Sequence, residues 1–453
     1  MNGMLTVFRN AWVDTQLRKK ILYTLFILLL FRLGSCIFVP FLDNAAISQM
    51  ISGASLLNYL DVMTGGALGK GTLLAMSITP YINASIIIQL LTVAIPPLER
   101  LSKEGEEGRK KINSITKFTS LGIAIFQATA FYFSLRNGTT DSNENHVAIL
   151  KFGDVLDTTS NTFSVVLSAI TIIACFVAGA SVIIWLGDRI NEKGIGNGIS
   201  MILFAGIVAR VPETIGNFIG IISSDPDNIG VNLVFIIATV IIFVAMIWFV
   251  IFMTNAERRI PVQYAKRVVG RKMYGGQSTH IPIKVAMSGV MPIIFAMSLM
   301  SLPQTICFFF GITGKGDTFW DGFVRFFSQQ SAVYAVIYFV LIIAFNYFYV
   351  AITYNPVEIA NNLKKNNGAI PGYRPGKPTS DFIYNSLNKI TLIGAIFLGA
   401  IAIFPIILSW INPSFSAVSL GGTTMLIIVG VALETVRTLE SQIMMRHHPG
   451  FLD

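Results

Sequence analysis

Ten stretches of mostly apolar residues recur along the 453-residue chain, and each is close to the roughly 20 helical residues that a bilayer core takes to cross. They run about Ile21–Pro40, Leu73–Ile95, Phe118–Leu135, Thr162–Leu186, Ile199–Ile219, Leu233–Met253, Val285–Phe309, Ala332–Tyr354, Ile390–Ile411 and Gly421–Leu439. Hydrocarbon offers no water to backbone amides, so segments of this kind cross as helices bonded within themselves. The expected fold is therefore an all-α integral membrane protein. Composition agrees: 53% of residues are hydrophobic and only 13% charged, which excludes a soluble multidomain protein. Cys36, Cys175 and Cys307 are odd in number, far apart and set in apolar runs, so neither a disulfide framework nor a metal cluster is expected.

Lys and Arg crowd the N-terminus, the loops after even-numbered spans and the C-terminus. Loops after odd-numbered spans hold few: Lys70, Arg136, Lys151, Lys315 and Arg325. The positive-inside rule then places both termini and the basic loops in the cytoplasm, as an even span count requires. The net charge of +9 belongs to this asymmetry and not to nucleic-acid binding. Residues 1–20, with Leu5, Phe8 and Trp12 between polar positions, read as a surface amphipathic helix. Arg18, Lys19 and Lys20 precede a span-length run with no A-x-A site after it, so no cleavable signal is expected there. Arg32, inside the first span, reads as a paired or snorkelling charge.

One stretch breaks the pattern. Asn58–Leu91 reads N-Y-L-D-V-M-T-G-G-A-L-G-K-G-T-L-L-A-M-S-I-T-P-Y-I-N-A-S-I-I-I-Q-L-L. Gly65, Gly66, Gly69 and Gly71 interrupt any helix in its first half, and Asp61 and Lys70 are too costly to face lipid. Irregular backbone at membrane depth is tolerated only inside protein or beside a water-filled cavity. The first half is expected to be a short re-entrant or surface segment. The second half is expected to be a span with Pro80 inside it, and with Asn83, Ser85 and Gln89 as polar positions.

No catalytic set emerges. Gly65–Thr72 fails as a phosphate loop, because Thr64 stands five before Gly69 and Gly71 follows Lys70. Gly194, Gly196 and Gly198 fail as a dinucleotide fingerprint, since Ile199 occupies the third glycine's place. His146, His280, His447 and His448 form no H-E-x-x-H pair. The chain reads as a non-enzyme without cofactor or metal. A secondary transporter is the rival reading. It is weakened by span interiors nearly free of Asp and Glu, with Glu434 late in the tenth span. The large polar loops Thr254–Lys284 and Asn355–Asp381 exceed what small-molecule transport needs and offer docking surfaces for a cytosolic partner.

The stretch I-T-P-Y-I-N-A-S-I-I-I-Q-L-L resembles the second helix of the SecY family, the channel subunits of the bacterial Sec protein translocase, and the glycine-broken segment resembles its plug. Also similar are G-E-E-G-R-K-K-I (Gly105–Ile112), W-L-G-D-R-I-N-E-K-G-I-G-N-G-I-S (Trp185–Ser200), H-I-P-I-K-V-A-M-S-G-V-M-P-I-I-F-A (His280–Ala296) and G-G-T-T-M-L-I-I-V (Gly421–Val429), all in order. The resemblance implies two pseudo-symmetric five-helix halves, residues 21–230 and 231–439, around a central pore, followed by a tail at 440–453. It implies a pore ring of Ile78, Ile82, Ile199, Leu203, Ile294 and Ile427, with Leu203 standing where Ile is more usual and Ser77 where Gly is often found. It implies a plug at about Leu57–Gly71 and a lateral gate between the second and seventh helices, at Asn83, Gln89 and Leu302. It implies that both basic loops dock the partner, with Arg258, Arg259 and Arg267 in one and with Arg374 in the other matching the family's functionally important loop arginine. Implied partners are the small membrane subunits SecE and SecG, the SecA motor ATPase, the ribosome (with ribosomal RNA touched only through it), unfolded preproteins or signal peptides, and lipid. The implied location is the bacterial plasma membrane.

Overall fold

The computed structural model describes residues 12–52, 61, 64–136, 138–140, 146–152, 161–212, 215–216, 229–264, 267–269, 272–274, 278–309, 319–328, 331–411 and 416–447. Each of the ten expected spans contains a helix: α1 Thr15–Gly34, α3 Thr79–Ala94, α5 Glu106–Arg136, α6 Thr162–Lys193, α7 Gly198–Val208, α8 Ile229–Asn255, α9 Met291–Phe309, α11 Ala332–Thr353, α13 Lys377–Ile411 and α14 Ser416–His447. Between them lie the shorter α2 Asn44–Ser52, α4 Pro96–Lys103, α10 Phe319–Phe326 and α12 Pro356–Lys365. Among the described residues, helices at α5, α6, α8, α11 and α13 are long and apolar enough to cross a membrane, and α3 with α4 makes a pair bent by 100°. Along α8, Ile237, Ile241, Val244, Trp248 and Phe252 stand exposed, which suits contact with lipid tails as apolar as themselves.

Local chemistry explains the boundaries. The Asp14 carboxylate accepts from the backbone N–H of Gln16 at 2.8 Å and of Leu17 at 3.4 Å, and so caps α1. Leu5 and Phe8 lie outside the described residues. The second span starts later than expected: α3 begins at Thr79, and Pro80 sits in its first turn rather than its interior. A first-turn proline forfeits only an amide that has no helical partner anyway, so it does not kink the helix. The turn before it contains Ser77 at φ +47, left-handed backbone in which glycine is the easier residue. Most of the polar loop Glu99–Lys117 is helical, shared between α4 and the start of α5.

The chain divides into two compact units. The first comprises Met1–Leu233, Ser298–Ser331 and Val431–Asp453. One of its apolar clusters joins Val39, Leu42, Ile47 and Leu68 to Phe131, Leu135, Ile172 and Phe176. Another joins Ile27, Phe31, Leu74 and Ile78 to Ile183, Leu186, Ile190, Ile202 and Leu203.

The second unit comprises Val234–Met297 and Ala332–Gly430. It holds a buried polar knot, in which the Ser288 hydroxyl donates to Asn346 Oδ1 and the Asn346 amide donates to the Thr391 carbonyl at 2.9 Å. It also contains a small antiparallel sheet that the sequence reading leaves as loop. Strand β3 Glu257–Tyr264 lies between β6 Ser278–Lys284 and β7 Gly368–Ala369, so both large polar loops contribute to one sheet. Ile260, Val262 and Ile283 turn inward and pack with Ala360, Leu363, Ile370, Ile383 and Leu387. Two shorter antiparallel pairs complete the strands: β1 Thr139–Thr140 with β2 His146–Val147, and β4 Arg267–Val269 with β5 Lys272–Tyr274.

Candidate functional site

The described part of the glycine-broken segment closes on itself around Asp61. The Asp61 carbonyl accepts from the Gly66 amide at 2.9 Å and from the Thr64 hydroxyl at 3.0 Å. The Asp61 carboxylate accepts from the Gly69 amide at 2.6 Å. The Thr64 hydroxyl accepts from the Leu68 amide at 3.2 Å, and Thr72 donates twice to the Ala67 carbonyl. A short bridge between Phe38 and Thr72 then leads the chain toward α3, with the Val39 amide on Gly71 O and the Leu73 amide on Ile37 O. Every bond here replaces one that helix would have supplied, which is what irregular backbone inside a membrane protein demands.

Two arginines grip this turn. Arg210, just beyond α7, places Nη1 3.1 Å from Asp61 Oδ2, and the two side chains are 17% and 7% exposed. Arg32 on α1 donates from Nη1 to the Gly65 carbonyl at 3.1 Å. Its partner is therefore a backbone oxygen of the segment expected to be the plug. Gly65 has φ +70, and a Cβ there would stand 2.6 Å from the Gly206 carbonyl oxygen on α7. Only glycine lets the turn come that close to the helix. The Asp61–Arg210 pair escapes sequence reading because its members are far apart in the chain. The one available signal was a second arginine, at the end of an apolar run.

Of the expected ring residues, Ile78, Ile82, Ile199 and Leu203 meet in one apolar cluster of the first unit. Ile78 and Leu203 are buried, while Ile82 and Ile199 are partly buried. Helix α7 is set by its start: the Asn197 side chain accepts from the Ile199 amide at 3.1 Å and the Ser200 amide at 3.4 Å, and Asn191 accepts from the Gly198 amide at 2.7 Å. A Cβ on Gly198 would meet Gly187 O at 2.0 Å, so glycine is what lets α6 and α7 turn this tightly. Ile294 and Ile427 belong to the second unit, the first half-buried and the second fully buried.

The remaining expected positions are spread over the fold. Asn83 is buried on α3, and its amide oxygen has no hydrogen-bond partner within the described protein. Gln89 donates to the Ser85 hydroxyl at 3.2 Å on the same helix. Leu302 is half-buried on α9. Gly66 and Gly71 have positive φ, and Gly69 supplies the amide bound by Asp61. Leu57 lies outside the described residues. Arg258 and Arg259 stand exposed on β3, where Arg259 pairs with Glu257 at 2.7 Å. Arg267 stands on β4, and its side chain lies outside the described residues. Arg374 is exposed in a turn fixed on both sides. Its carbonyl accepts from the Thr379 hydroxyl at 2.8 Å, and the rings of Tyr373 and Phe382 pack with centroids 4.3 Å apart.

The SecY family model matches residues 72–436. The chain belongs to the SecY family. It is 40% identical over 461 residues to the protein translocase subunit SecY of Mycobacterium bovis, covering 99% of this chain and 100% of the relative. It is also 40% identical to the Thermotoga maritima protein of the same description, over 99% of this chain and 98% of that one. Among solved structures, a protein-conducting channel superposes with a TM-score of 0.66 at 20% identity, over 97% of this chain and 96% of that one. Sec61 in a canine ribosome–channel complex superposes at 0.64 and 19%, over 97% and 96%. At those identities the superpositions show the fold. The expected all-α membrane architecture, with helices at all ten span positions, is that of the family.

Proposed function

We infer that this SecY family member is the channel subunit of a protein translocase, a path for unfolded secretory chains across the plasma membrane that also releases transmembrane segments sideways into lipid. The full-length match to protein translocase subunits carries this reading. The path supplies no energy, so a cytosolic motor or the ribosome drives the chain through. Basic loops and both termini face the cytoplasm, where the docking arginines Arg258, Arg259, Arg267 and Arg374 meet SecA or the ribosome, while SecE and SecG complete the assembly in the membrane. Residues 21–230 and 231–439 are the two halves of the path.

In this reading the segment at about Leu57–Gly71 is the plug. Ile78, Ile82, Ile199 and Leu203 then meet Ile294 and Ile427 as a gasket. An apolar constriction resists wetting and so blocks ions, yet forms no strong bond with a passing chain. Replacing Ile82 and Ile427 together by Asn is expected to raise the resting conductance of planar bilayers, and an unchanged conductance overturns the gasket.

Sideways release is a partitioning step. A Leu or Ile at the helix centre favours insertion by roughly 0.3–0.6 kcal/mol, and one Lys or Arg opposes it by roughly 2.5–3.5 kcal/mol. A gate open to lipid sorts segments on that difference alone. The test is a pair of cysteines at Asn83 and Leu302, whose oxidation needs Cα atoms within about 7 Å. Locking is expected to stop export of signal-bearing chains into inverted vesicles, and reductant to restore it. Efficient locking with full export moves the gate elsewhere, and no chain-dependent export at all overturns the translocase reading.

A further inference from the structure

Helix α10 exposes its aromatic rings and buries one of its two charges, Asp321, while Arg325 stands exposed. In a water-facing surface helix the apolar side turns toward the protein and the charges turn away. Here Phe319 is 80% exposed, Trp320 52% and Phe326 45%, whereas Asp321 is only 8% exposed. The rings form a connected edge: Phe319 with Trp320, Trp320 with Phe323, Phe323 with Phe327 at 4.8 Å, and Phe327 with Phe326. Monomeric soluble proteins rarely leave a contiguous apolar patch of this kind uncovered.

The helix's place in the chain tells what covers it. It follows α9 and precedes α11, both apolar and both family spans, so the link between them runs along one membrane surface. Exposed aromatic rings, Trp above all, are enriched at that depth, where an amphipathic ring has one wet and one oily neighbour. The helix is also moored: buried Gln304 on α9 donates its side-chain amide to the Phe327 carbonyl, just past the end of α10.

We propose that α10 lies flat in the lipid interface as a membrane float, with Phe319, Trp320 and Phe326 in the headgroup–acyl boundary and Gln304 tying it to α9. The occupant of the aromatic edge is phospholipid. The proposal stands on placement and exposure and does not need the channel reading to hold.

The test compares the full chain with its Trp320→Phe variant in phosphatidylcholine–phosphatidylglycerol vesicles, so that the difference in emission belongs to Trp320 alone. Lipids brominated near the headgroup end of the acyl chain are expected to quench that difference about twofold more than lipids brominated deep in the bilayer, as for a ring held roughly 5–10 Å into the boundary. Aqueous acrylamide should quench it weakly. Strong acrylamide quenching with none from bromolipid overturns the proposal by placing α10 in water. Weak quenching by both overturns it too, by showing that a second copy or a membrane subunit covers the edge. If Trp320→Phe does not reach the membrane, a nitroxide on a cysteine at Phe319 gives the same depth by its relaxation with oxygen and with a water-soluble nickel complex, and the same two placements decide.

Discussion

Two sets of arginines do opposite work in this molecule. Arg32 and Arg210 turn toward a polar turn inside the first unit, and each spends its guanidinium on that turn: one on a carbonyl, one on a carboxylate. Arg258 and Arg374 stand exposed on the small sheet and its neighbouring turn in the second unit. The side chain is the same, and burial separates Arg210, 17% exposed, from the other three, which are exposed; Arg32 differs from Arg258 and Arg374 by its bond to the Gly65 carbonyl. A buried guanidinium must be matched locally or the fold suffers, whereas an exposed one adds little to stability and remains open to a partner. Charge in a membrane protein therefore has to be sorted by setting before it is assigned to topology, structure or docking.

The comparison is broken most severely at Arg210. Arg210→Gln takes the cation from a carboxylate that is 7% exposed, and removing one partner of a buried pair costs about 3–5 kcal/mol. The turn should open locally, with faster hydrogen exchange at the Gly69 amide and a higher resting conductance. Native exchange at Gly69 would mean that the pair holds nothing in place. A smaller effect is expected at Gly65. Gly65→Ala forces a side chain into left-handed backbone against Gly206 O, a strain on the order of 1–3 kcal/mol, and should loosen the same amide without touching any charge. If Gly65→Ala leaves exchange unchanged, the close approach to α7 is not what seats the turn.

The smallest effect on stability belongs to Arg374. An exposed substitution away from packed features changes folding by within about 0.5 kcal/mol, so Arg374→Glu should leave protein level and topology intact. Export driven by a cytosolic partner should nonetheless be lost, and Arg374→Lys clearly impaired, because an ammonium lacks the two-pronged grip of a guanidinium. Normal export by Arg374→Glu into inverted vesicles refutes the docking role. A misoriented loop under protease mapping instead assigns the charge to topology.

The helices were legible because the bilayer imposes a length and a polarity that composition cannot hide. The contacts that seat the turn were not. Asp61 announced itself as too polar for lipid, but nothing local to it points to Arg210, and the arginine near the other end of the turn was read without its partner in Gly65. Pro80 was read as interior because the left-handed turn at Ser77, a residue that rarely adopts it, delays the helix by several residues. The sheet was missed for a related reason. Ile260, Val262, Ile281 and Ile283 alternate as strands do, yet β7, which extends the sheet, lies beyond four further helices in the chain. The ring shows a limit of another kind: Ile78 and Leu203 lie in a cluster that any apolar core would form, so their identity came from family resemblance and not from pattern.

The register of β3 with β7 has a mechanical side. Gln263 and Tyr264 pair with Ala369 and Gly368, which ties the loop carrying Arg258 to the loop carrying Arg374 through backbone hydrogen bonds. A load applied at either loop is shared by both, as by two ropes spliced to one cleat. Such a splice tolerates exchange of side chains on its outer face, but not the insertion of a single residue within the paired segment, because a one-residue slip reverses which side chains face inward.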